Sequence, residues 1–234
     1  MCGRFGATFT FREIMVRWNL QRDFPLYVPR FNIAPSQQVP VIVSTDNAPD
    51  AKSMQWGLVP WWAKEEAIGN RMINARAETL TEKGAFKNLV DGRRCLVPAD
   101  GFYEWRKEGK RKVPMWFHLN SKEPFAFAGL WDVWRRPNGS NLETFTIVTT
   151  EPNELMRPIH NRMPAILRRE DEERWLDVSG AQFDKVRLVL KPFPSEQMDA
   201  HDVSTLVNKP ENDTAECIRP FSGDEIFTPQ LSLL

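Results

Sequence analysis

The spacing of apolar residues changes its period several times along this chain. Near the N-terminus, Phe11, Ile14 and Trp18 recur at helical spacing, and Thr10-Phe11-Arg12-Glu13 has the form of a capping box. We therefore predict a first helix over about residues 11–19. Further helical stretches are predicted at 81–90, 151–156 and 170–178.

Short apolar or alternating runs predict strands between these helices. They lie at 39–43, 54–59, 93–98, 114–119, 125–134, 144–149 and 186–190. Asn138-Gly139 predicts a hairpin turn between the runs at 125–134 and 144–149. The order of elements indicates an α+β protein with mostly antiparallel pairing.

The length and the proline distribution favour one domain. The 234 residues are 41% hydrophobic and 11% aromatic, which is enough for a substantial core. The 18 prolines are spread without a linker-like concentration, and no internal repeat is visible. We predict one domain over residues 1–221, followed by a loosely held tail at 222–234.

The charge balance excludes partners that are held by bulk charge. Lys plus Arg equals Asp plus Glu at 31 each, so any anionic partner must meet a local basic patch. No apolar run approaches the ~20 residues of a membrane span, and none resembles a secretion signal. We expect a soluble, cytoplasmic protein without a membrane partner.

The three cysteines have different expected roles. Without a C-x-x-C pair, and with three histidines, a zinc site or disulfide framework is not expected. Cys95 reads as a packing residue in a buried strand, and Cys217 lies near the polar C-terminal region. Removal of Met1 would leave Cys2 with a free amine (pKa ~8) beside its thiol (pKa ~8.5), a pair that can trap an aldehyde as a thiazolidine.

Five short segments concentrate polar residues beside aromatics or turns. They are MCGR at 1–4, NIAP at 32–35, INARAET at 73–79, GFYEW at 101–105 and HNRMP at 160–164. Taken singly, each has a local explanation: Asn74 could cap a turn, Arg76 and Glu78 could form a surface ion pair, and Glu104 could be solvated. Together with VSTLVN at 203–208, the set resembles the SOS response-associated peptidase (SRAP) family, from Cys2 to about Asn208.

The resemblance implies a fold and an activity. The fold would be a single SRAP-like α+β domain with a bifurcated, barrel-like, mostly antiparallel sheet flanked by helices. The protein would bind single-stranded DNA, remove its own Met1, and use Cys2 to capture the ring-opened aldehyde of an abasic site. The crosslink would shield the lesion during the DNA damage response, and the protein would be nucleoid-associated when bound to DNA.

The resemblance also implies roles for polar residues, which their chemistry fits. Glu104, between two aromatic residues, would be desolvated enough to carry protons, and His160 would be the second proton carrier. Asn74 would hold the sugar or the adduct through its uncharged amide. An exposed strand glutamate and a histidine at a helix end are the competing interpretations of the first two.

DNA binding is assigned to a local basic patch and to aromatic side chains. Arg4, Arg76 and Arg162 would contact phosphates, although surface arginines with solvated partners are an alternative. Trp61, Trp62 and Trp105 would stack on bases or wedge between them. The remaining assignments are Pro35 and Asn32 at the border of the site (which a tight turn also explains), packing roles for Trp18, Trp116, Trp131 and Trp175, and structural roles for His118 and His201.

One position departs from the family pattern. Members commonly carry Asp after the site histidine, whereas this chain has Asn161. We expect the amide to lower the pKa of His160 and to alter the rate of crosslink reversal.

Two other functions stay open at this level. The chain could be a cysteine peptidase that acts on other polypeptides through Cys2 and His160, or a non-covalent reader of single-stranded or modified DNA. The crosslinking chemistry requires no metal or organic cofactor. We expect a monomer.

Overall fold

Two β-sheets organise the chain, seen here in a computed structural model that describes residues 2–21, 27–46, 48–179 and 182–221. The strands are β1 Phe5–Ala7, β2 Arg30–Ile33, β3 Gln38–Thr45, β4 Ala48–Trp56, β5 Asn74–Arg76, β6 Arg94–Ala99, β7 Gly101–Glu108, β8 Arg111–Leu119, β9 Phe125–Arg135, β10 Asn141–Thr150, β11 Met163–Pro164, β12 Ile166–Leu167 and β13 Met198–Asp202. The helices are α1 Phe11–Trp18, α2 Arg169–Leu176 and α3 Phe183–Val186. Short 3-10 turns lie at Glu66–Arg71, Ala77–Thr79, Arg187–Val189, Ser195–Gln197, Thr205–Asn208 and Ala215–Cys217.

The larger sheet closes into a barrel. Its strands follow the order β4, β3, β6, β9 and β10, and β10 pairs with both β9 and β4, so that the ring is complete. The pairings are antiparallel except for β4 with β10, and β5 adds a second parallel neighbour to β10. Closure leaves these five strands no free edge and encloses buried aromatic side chains such as Trp56, Phe127 and Phe145.

The smaller sheet is fully antiparallel and carries the N-terminal strand. Its order is β13, β8, β7, β1 and β2. Gly6 of β1 lies opposite Gly101 of β7, and the indole of Trp116 covers both. A Cβ on Gly101 would lie 2.1 Å from Cζ2 of Trp116, so the position has no room for a side chain. Phe5 packs edge-on against Phe127 of the barrel and joins the two sheets.

Several predictions from the sequence are confirmed. The fold is α+β and mostly antiparallel, with a barrel beside a second sheet. Helix α1 begins with the predicted capping box, in which Thr10 and Glu13 each accept a hydrogen bond from the other's backbone. Helix α2 begins one residue before the helix predicted at 170–178 and ends two residues before its end. The turn at 138–139 connects β9 to β10. Cys95 is buried in β6.

Other predicted elements are wrong. Residues 81–90 form turns rather than a regular helix, and hydrogen bonds that span three residues, such as Phe86 N–H to Lys83 O and Leu89 N–H to Phe86 O, replace part of the helical pattern. Residues 151–153 are irregular and 154–156 form a turn, where Oδ1 of Asn153 accepts a hydrogen bond from the backbone of Met156. The run predicted as a strand at 186–190 is helical over residues 186–189, and Val186 and Val189 are buried three residues apart. A short run of apolar residues fits this helical spacing as well as it fits a strand.

Seven strands were missed, namely β1, β2, β7 and β13 of the smaller sheet and β5, β11 and β12 of the larger one. All of them except β7 have five residues or fewer. The strand predicted at 54–59 ends at Trp56, because Gly57 takes a positive φ of 118°. None of the helices within the described ranges is long and apolar enough to cross a membrane. The tail predicted at 222–234 lies outside the described residues.

The packing tryptophans are placed largely as expected. Trp18, Trp116 and Trp175 are buried in the core. Trp131 is only partly buried, and the guanidinium of Arg93 lies 4.3 Å from its ring centroid.

Candidate active site

Cys2 lies at the start of the smaller sheet and is buried. Its thiol lies 3.8 Å from the carbonyl oxygen of Arg4, which also accepts a hydrogen bond from the backbone N–H of Tyr103 at 2.9 Å. This pairing of β1 with β7 brings Cys2 close to Glu104, the next residue of β7. Burial first, and then the negative charge of Glu104, raise the pKa of the Cys2 thiol. The thiol therefore favours its protonated form while Glu104 is ionised.

Glu104 is buried as well, with 6% of its surface exposed. Burial raises the pKa of its carboxyl group, and nearby positive charge, including that of His160, opposes part of the shift. A carboxyl group with a raised pKa exchanges protons more readily near neutral pH than a solvated one does. The structure thus removes the interpretation of Glu104 as a solvated strand residue.

Glu104 and His160 line the same cavity, which has a volume of about 750 Å³. The β7–β8 hairpin forms one wall, and the turn at 158–161 forms the other. The lining residues are Glu104, Trp105, Lys107, Lys112, Pro158, Ile159, His160, Asn161 and Asn208. Cys2 and Asn74 are not among them.

The ring of His160 is oriented by the backbone of the same turn. Its Nδ1 lies 3.0 Å from the backbone nitrogen of Arg162. Because a backbone N–H donates only, Nδ1 is the acceptor, and the proton of a neutral ring lies on Nε2. Asn161, the residue that departs from the family pattern, is exposed at the edge of the cavity.

Asn74 is half-buried on β5 and leaves one polar atom without a partner. Its Nδ2 donates to the carbonyl oxygen of Ile73 at 2.9 Å. Its Oδ1 is buried and accepts no hydrogen bond from the described residues. That oxygen can accept a hydrogen bond from a bound hydroxyl or amine.

The three arginines of the predicted basic patch differ in their bonding. Arg4 donates to Oδ1 of Asn32 and to the carbonyl oxygen of Val207, both at 2.7 Å. Arg162 makes a bidentate pair with Glu78, at 2.8 and 2.9 Å. Arg76 is exposed and forms no ion pair with the part of the chain that the structure describes.

Glu78 therefore pairs with Arg162, and the described residues contain no Arg76–Glu78 ion pair. Partial burial acts to raise the pKa of Glu78, but the hydrogen bonds from Arg162, a backbone hydrogen bond, and the charges of Arg162 and Arg76 together lower that pKa.

Of the three tryptophans predicted to contact DNA, two are exposed and one is hydrogen-bonded to the protein. Trp61 and Trp62 are 65% and 48% exposed, in a turn that a hydrogen bond from the Trp61 backbone to Asp132 holds in place. Trp105 is half-buried, and its Nε1 donates to Oδ1 of Asn208 at 2.8 Å.

Pro35 and Asn32 border the site in different ways. Pro35 is half-buried at the end of β2, followed by Ser36 with a positive φ. Asn32 is fully buried, and its Nδ2 donates to the carbonyl oxygens of Val207, Lys209 and Asn212. Asn32 thus connects β2 to the segment that carries Asn208.

The residues of the site that were not predicted from the sequence include Asn208, Lys107 and Lys112. The only signal for Asn208 was its place in VSTLVN, since 103 residues separate it from Trp105. His118 and His201 have the expected structural roles, with ring nitrogens 3.0 and 2.9 Å from the carbonyl oxygens of Leu119 and Ile218. Across residues 2–21, 27–46, 48–179 and 182–221, no group of three or more His, Cys, Asp or Glu side chains is placed to hold a metal ion.

Comparisons with known proteins identify the family and the fold. A family model described as SOS response associated peptidase (SRAP) matches residues 1–210. Abasic site processing protein YoqW of Bacillus subtilis (strain 168) is 45% identical over 221 residues, which cover 93% of this chain and 99% of that protein. Abasic site processing protein HMCES of Gallus gallus is 36% identical over 226 residues, which cover 83% of this chain and 67% of that protein.

A solved structure of a protein from Bacteroides thetaiotaomicron matches with a TM-score of 0.86 and 30% identity, covering 94% of this chain and 100% of that one. The family model spans the chain from β1 to the 3-10 turn at Thr205–Asn208. The chain therefore belongs to the SOS response associated peptidase (SRAP) family.

Proposed function

We propose that this chain processes abasic sites in single-stranded DNA by forming a covalent crosslink through Cys2. The observation that carries the proposal is the place of Cys2 beside β7. Its thiol lies 3.8 Å from the carbonyl oxygen of Arg4, which accepts a hydrogen bond from Tyr103, and the next residue, Glu104, lines the cavity of His160. The names of relatives such as YoqW and HMCES supply the substrate class, an abasic site.

The proposed chemistry uses the two nucleophiles of Cys2 in succession. Once Met1 is removed, the α-amine adds to the aldehyde carbon of the ring-opened sugar and loses one water to give an imine. The thiol then adds to the imine carbon while the nitrogen takes up a proton, which closes a five-membered thiazolidine. The net reaction consumes one aldehyde and one aminothiol and releases one water.

Each step moves a proton, and the site holds two carriers for it. Glu104 lies nearest the thiol and, because burial raises its pKa, can accept the thiol proton and return it to nitrogen. His160 presents Nε2 as the proton-bearing atom of its neutral ring and can protonate the hydroxyl group of the amine–aldehyde adduct, which then leaves as water. Removal of Met1 is the hydrolysis of one peptide bond, for which Glu104 would again serve as the base.

The proposal assigns the DNA contacts to side chains that are accessible or lack a partner. Arg76 is exposed and can bind a phosphate, and Oδ1 of Asn74 can accept a hydrogen bond from the sugar. Trp61 and Trp62 present exposed rings on which bases can stack, a mode that is independent of sequence.

The test is intact mass spectrometry of the purified protein, before and after incubation with a single-stranded oligonucleotide that carries one abasic site. We expect loss of Met1 and, without reductant, an adduct of protein plus oligonucleotide minus one water. The Cys2→Ser variant is the matched control and should form no such stable adduct, because an oxygen nucleophile closes the ring far less favourably.

Failure to form an adduct in a chain that has lost Met1 would contradict the proposal. Retained oligonucleotide binding by Cys2→Ala, without any adduct in the parent, would indicate a non-covalent reader. Cleavage of an unfolded protein added in trans would indicate a peptidase.

A further inference from the structure

The tip of the β7–β8 hairpin concentrates positive charge that the fold does not neutralise. Lys107, Lys110, Arg111 and Lys112, here called the hairpin cations, are all exposed and form no ion pair within the described part of the chain. Arg106 on the same hairpin differs, because its guanidinium pairs with Glu108 and with Asp202. In a chain whose net charge is zero, this is a local basic surface.

Two of these cations lie directly opposite each other. Lys107 pairs with Lys112 in the antiparallel register of β7 and β8, so both side chains leave the same face of the hairpin. Like charges at directly opposite positions destabilise a strand pair. The arrangement therefore costs stability in the free protein, and an anion between the two ammonium groups would remove that cost.

The hairpin cations are continuous with the cavity of the candidate active site. Lys107 and Lys112 line the same cavity as Glu104 and His160. Two residues before Lys107 on β7, Trp105 projects from the same face of the strand, by the period of two. One face of the hairpin thus presents an aromatic ring and then the lysine pair, with Lys110 at the turn beyond them and Arg111 on the opposite face.

We propose that the hairpin cations bind the phosphodiester backbone of single-stranded DNA on one side of the abasic site. The inference rests on the proposed function for the nature of the ligand. Charge complementarity selects a polyanion, and the shared cavity wall places that polyanion next to the reacting sugar. Ammonium groups bind phosphates as point charges, which suits contact that is independent of base sequence.

The salt dependence of binding measures these contacts directly. Each phosphate contact on a single strand contributes about 0.7 to the slope of log K against log salt concentration. The double variant Lys107→Ala/Lys112→Ala should therefore bind an undamaged single-stranded oligonucleotide with a slope smaller by about 1.4. At 0.1 M salt the same loss corresponds to an affinity reduced on the order of 25-fold.

The matched control is Lys185→Ala/Lys191→Ala. It removes two exposed lysines, and therefore the same charge, outside the cavity. Its slope should equal that of the parent. An unchanged slope in Lys107→Ala/Lys112→Ala would overturn the proposal. Thermal unfolding separates misfolding from lost binding, because relief of the like-charge pair should leave the melting temperature equal or higher.

Two further measurements identify the anion that the hairpin cations bind and the side of the abasic site on which they bind it. Oligonucleotides whose abasic site lies near the 5′ end or near the 3′ end should differ, with the double variant weakening only one of them; equal effects on both would contradict the one-sided placement. Polyglutamate serves as a second anion, and a variant that loses polyglutamate but keeps DNA binding would assign the hairpin to an acidic protein instead.

The proposal and the proposed function fail in distinguishable ways. The double variant should need a higher concentration of abasic oligonucleotide than the parent to reach half of its maximal rate of adduct formation, whereas Lys185→Ala/Lys191→Ala should need the parental concentration. Parent protein that forms no adduct contradicts the proposed function, whereas the slope measured with undamaged DNA still decides the role of the hairpin cations.

Discussion

The buried carboxyl group of Glu104 lowers the stability of the folded protein when it is ionised. Its carboxyl group is buried, and burial raises its pKa. Ionisation of this group therefore costs more free energy in the folded protein than in the unfolded chain. The folded state binds more protons than the unfolded state between the two pKa values, and stability therefore falls as the pH rises through that interval.

We predict that Glu104→Gln is more stable than the parent at pH 8, because the amide keeps the shape of the side chain without its charge. The difference in melting temperature should shrink to zero as the pH falls below the range of ordinary carboxyl groups, near ~4. Thermal unfolding followed by circular dichroism from pH 3.5 to 8 measures both limits.

Glu13 is a control with the opposite sign. Its carboxylate accepts the backbone N–H of the Thr10 cap, which lowers its pKa. Glu13→Gln should therefore be less stable than the parent at neutral pH, with a gap that closes as the pH falls through the lowered pKa. A Glu104→Gln curve that lies below the parent at pH 8 would contradict a costly buried charge.

Local sequence predicts some of these residue properties and misses others. The burial of Glu104 was predicted from the aromatic residues Tyr103 and Trp105 on either side of it and is confirmed, because β7 lies between β8 and β1 in the smaller sheet. The pairing of Arg162 with Glu78 joins positions 84 residues apart, and a sequence without an alignment carries no signal for it. The DNA-binding roles of Arg4, Arg76 and Arg162 stay predictions.

At the scale of elements, the pairing of β1 with β7 depends on two residues that lack side chains. Trp116 on β8 lies across Gly6 and Gly101, and it approaches a Cβ built on Gly101 more closely than real Cβ atoms allow. The contact fixes the position of β1, the strand that follows Cys2.

We predict that Gly101→Ala destabilises the protein by about 1–3 kcal/mol, as overpacking of a filled core does, and that it slows adduct formation by displacing β1. Denaturant unfolding gives the first quantity and mass spectrometry the second. Gly84→Ala is the control, since a Cβ there meets no atom within 4 Å.

Replacement of Trp116 tests the cause of that loss. The variant Trp116→Leu should tolerate Gly101→Ala at less cost than the parent does, because the shorter side chain leaves room for the new methyl group. Additive losses in the double variant would show that the indole is not responsible.

The elements themselves were predictable where one period dominated. The capped, amphipathic α1 and the long strands β3, β9 and β10 follow from apolar spacing alone. Short elements failed: the run at 186–190 fits both a strand and a helical turn, and three-residue strands such as β1 take their conformation from their partners.

At the scale of the whole molecule, the N-terminal strands and the C-terminal segment are joined at the site. Asn32 donates to three carbonyl oxygens of residues 207–212, and Asp213 accepts hydrogen bonds from the backbone of Phe31 and Asn32. Asn208, which holds the indole of Trp105, belongs to the segment that Asn32 secures.

We predict that Asn32→Asp lowers stability by about 2–4 kcal/mol, because a carboxylate would face those three carbonyl oxygens without donors. Loss of order around Asn208 should also release the indole, which the fluorescence and hydrogen exchange of Trp105 would report. Asn120→Asp, at an exposed bond to the carbonyl oxygen of Glu196, is the control and should change stability little.

The closure of the larger sheet into a barrel could not be predicted from residue patterns in the sequence. The sequence indicated a barrel-like sheet only through family resemblance, since nothing local requires β10 to pair with both β9 and β4. The cavity likewise arises from a hairpin and a turn that lie about 50 positions apart, which tertiary packing alone brings together.

The pairing of β1 with β7 also determines when the N-terminal strand can fold during translation. Phe5 pairs with Phe102, so about 100 residues must be translated before the strand after Cys2 can dock beside its neighbour. At 5–20 residues per second, that takes roughly 5–20 s. During this interval the first peptide bond is open to an aminopeptidase working at the ribosome, whereas the proposed hydrolysis by Glu104 would have to wait until the sheet has formed. Loss of Met1 from a nascent chain shorter than about 100 residues would therefore exclude the route through Glu104.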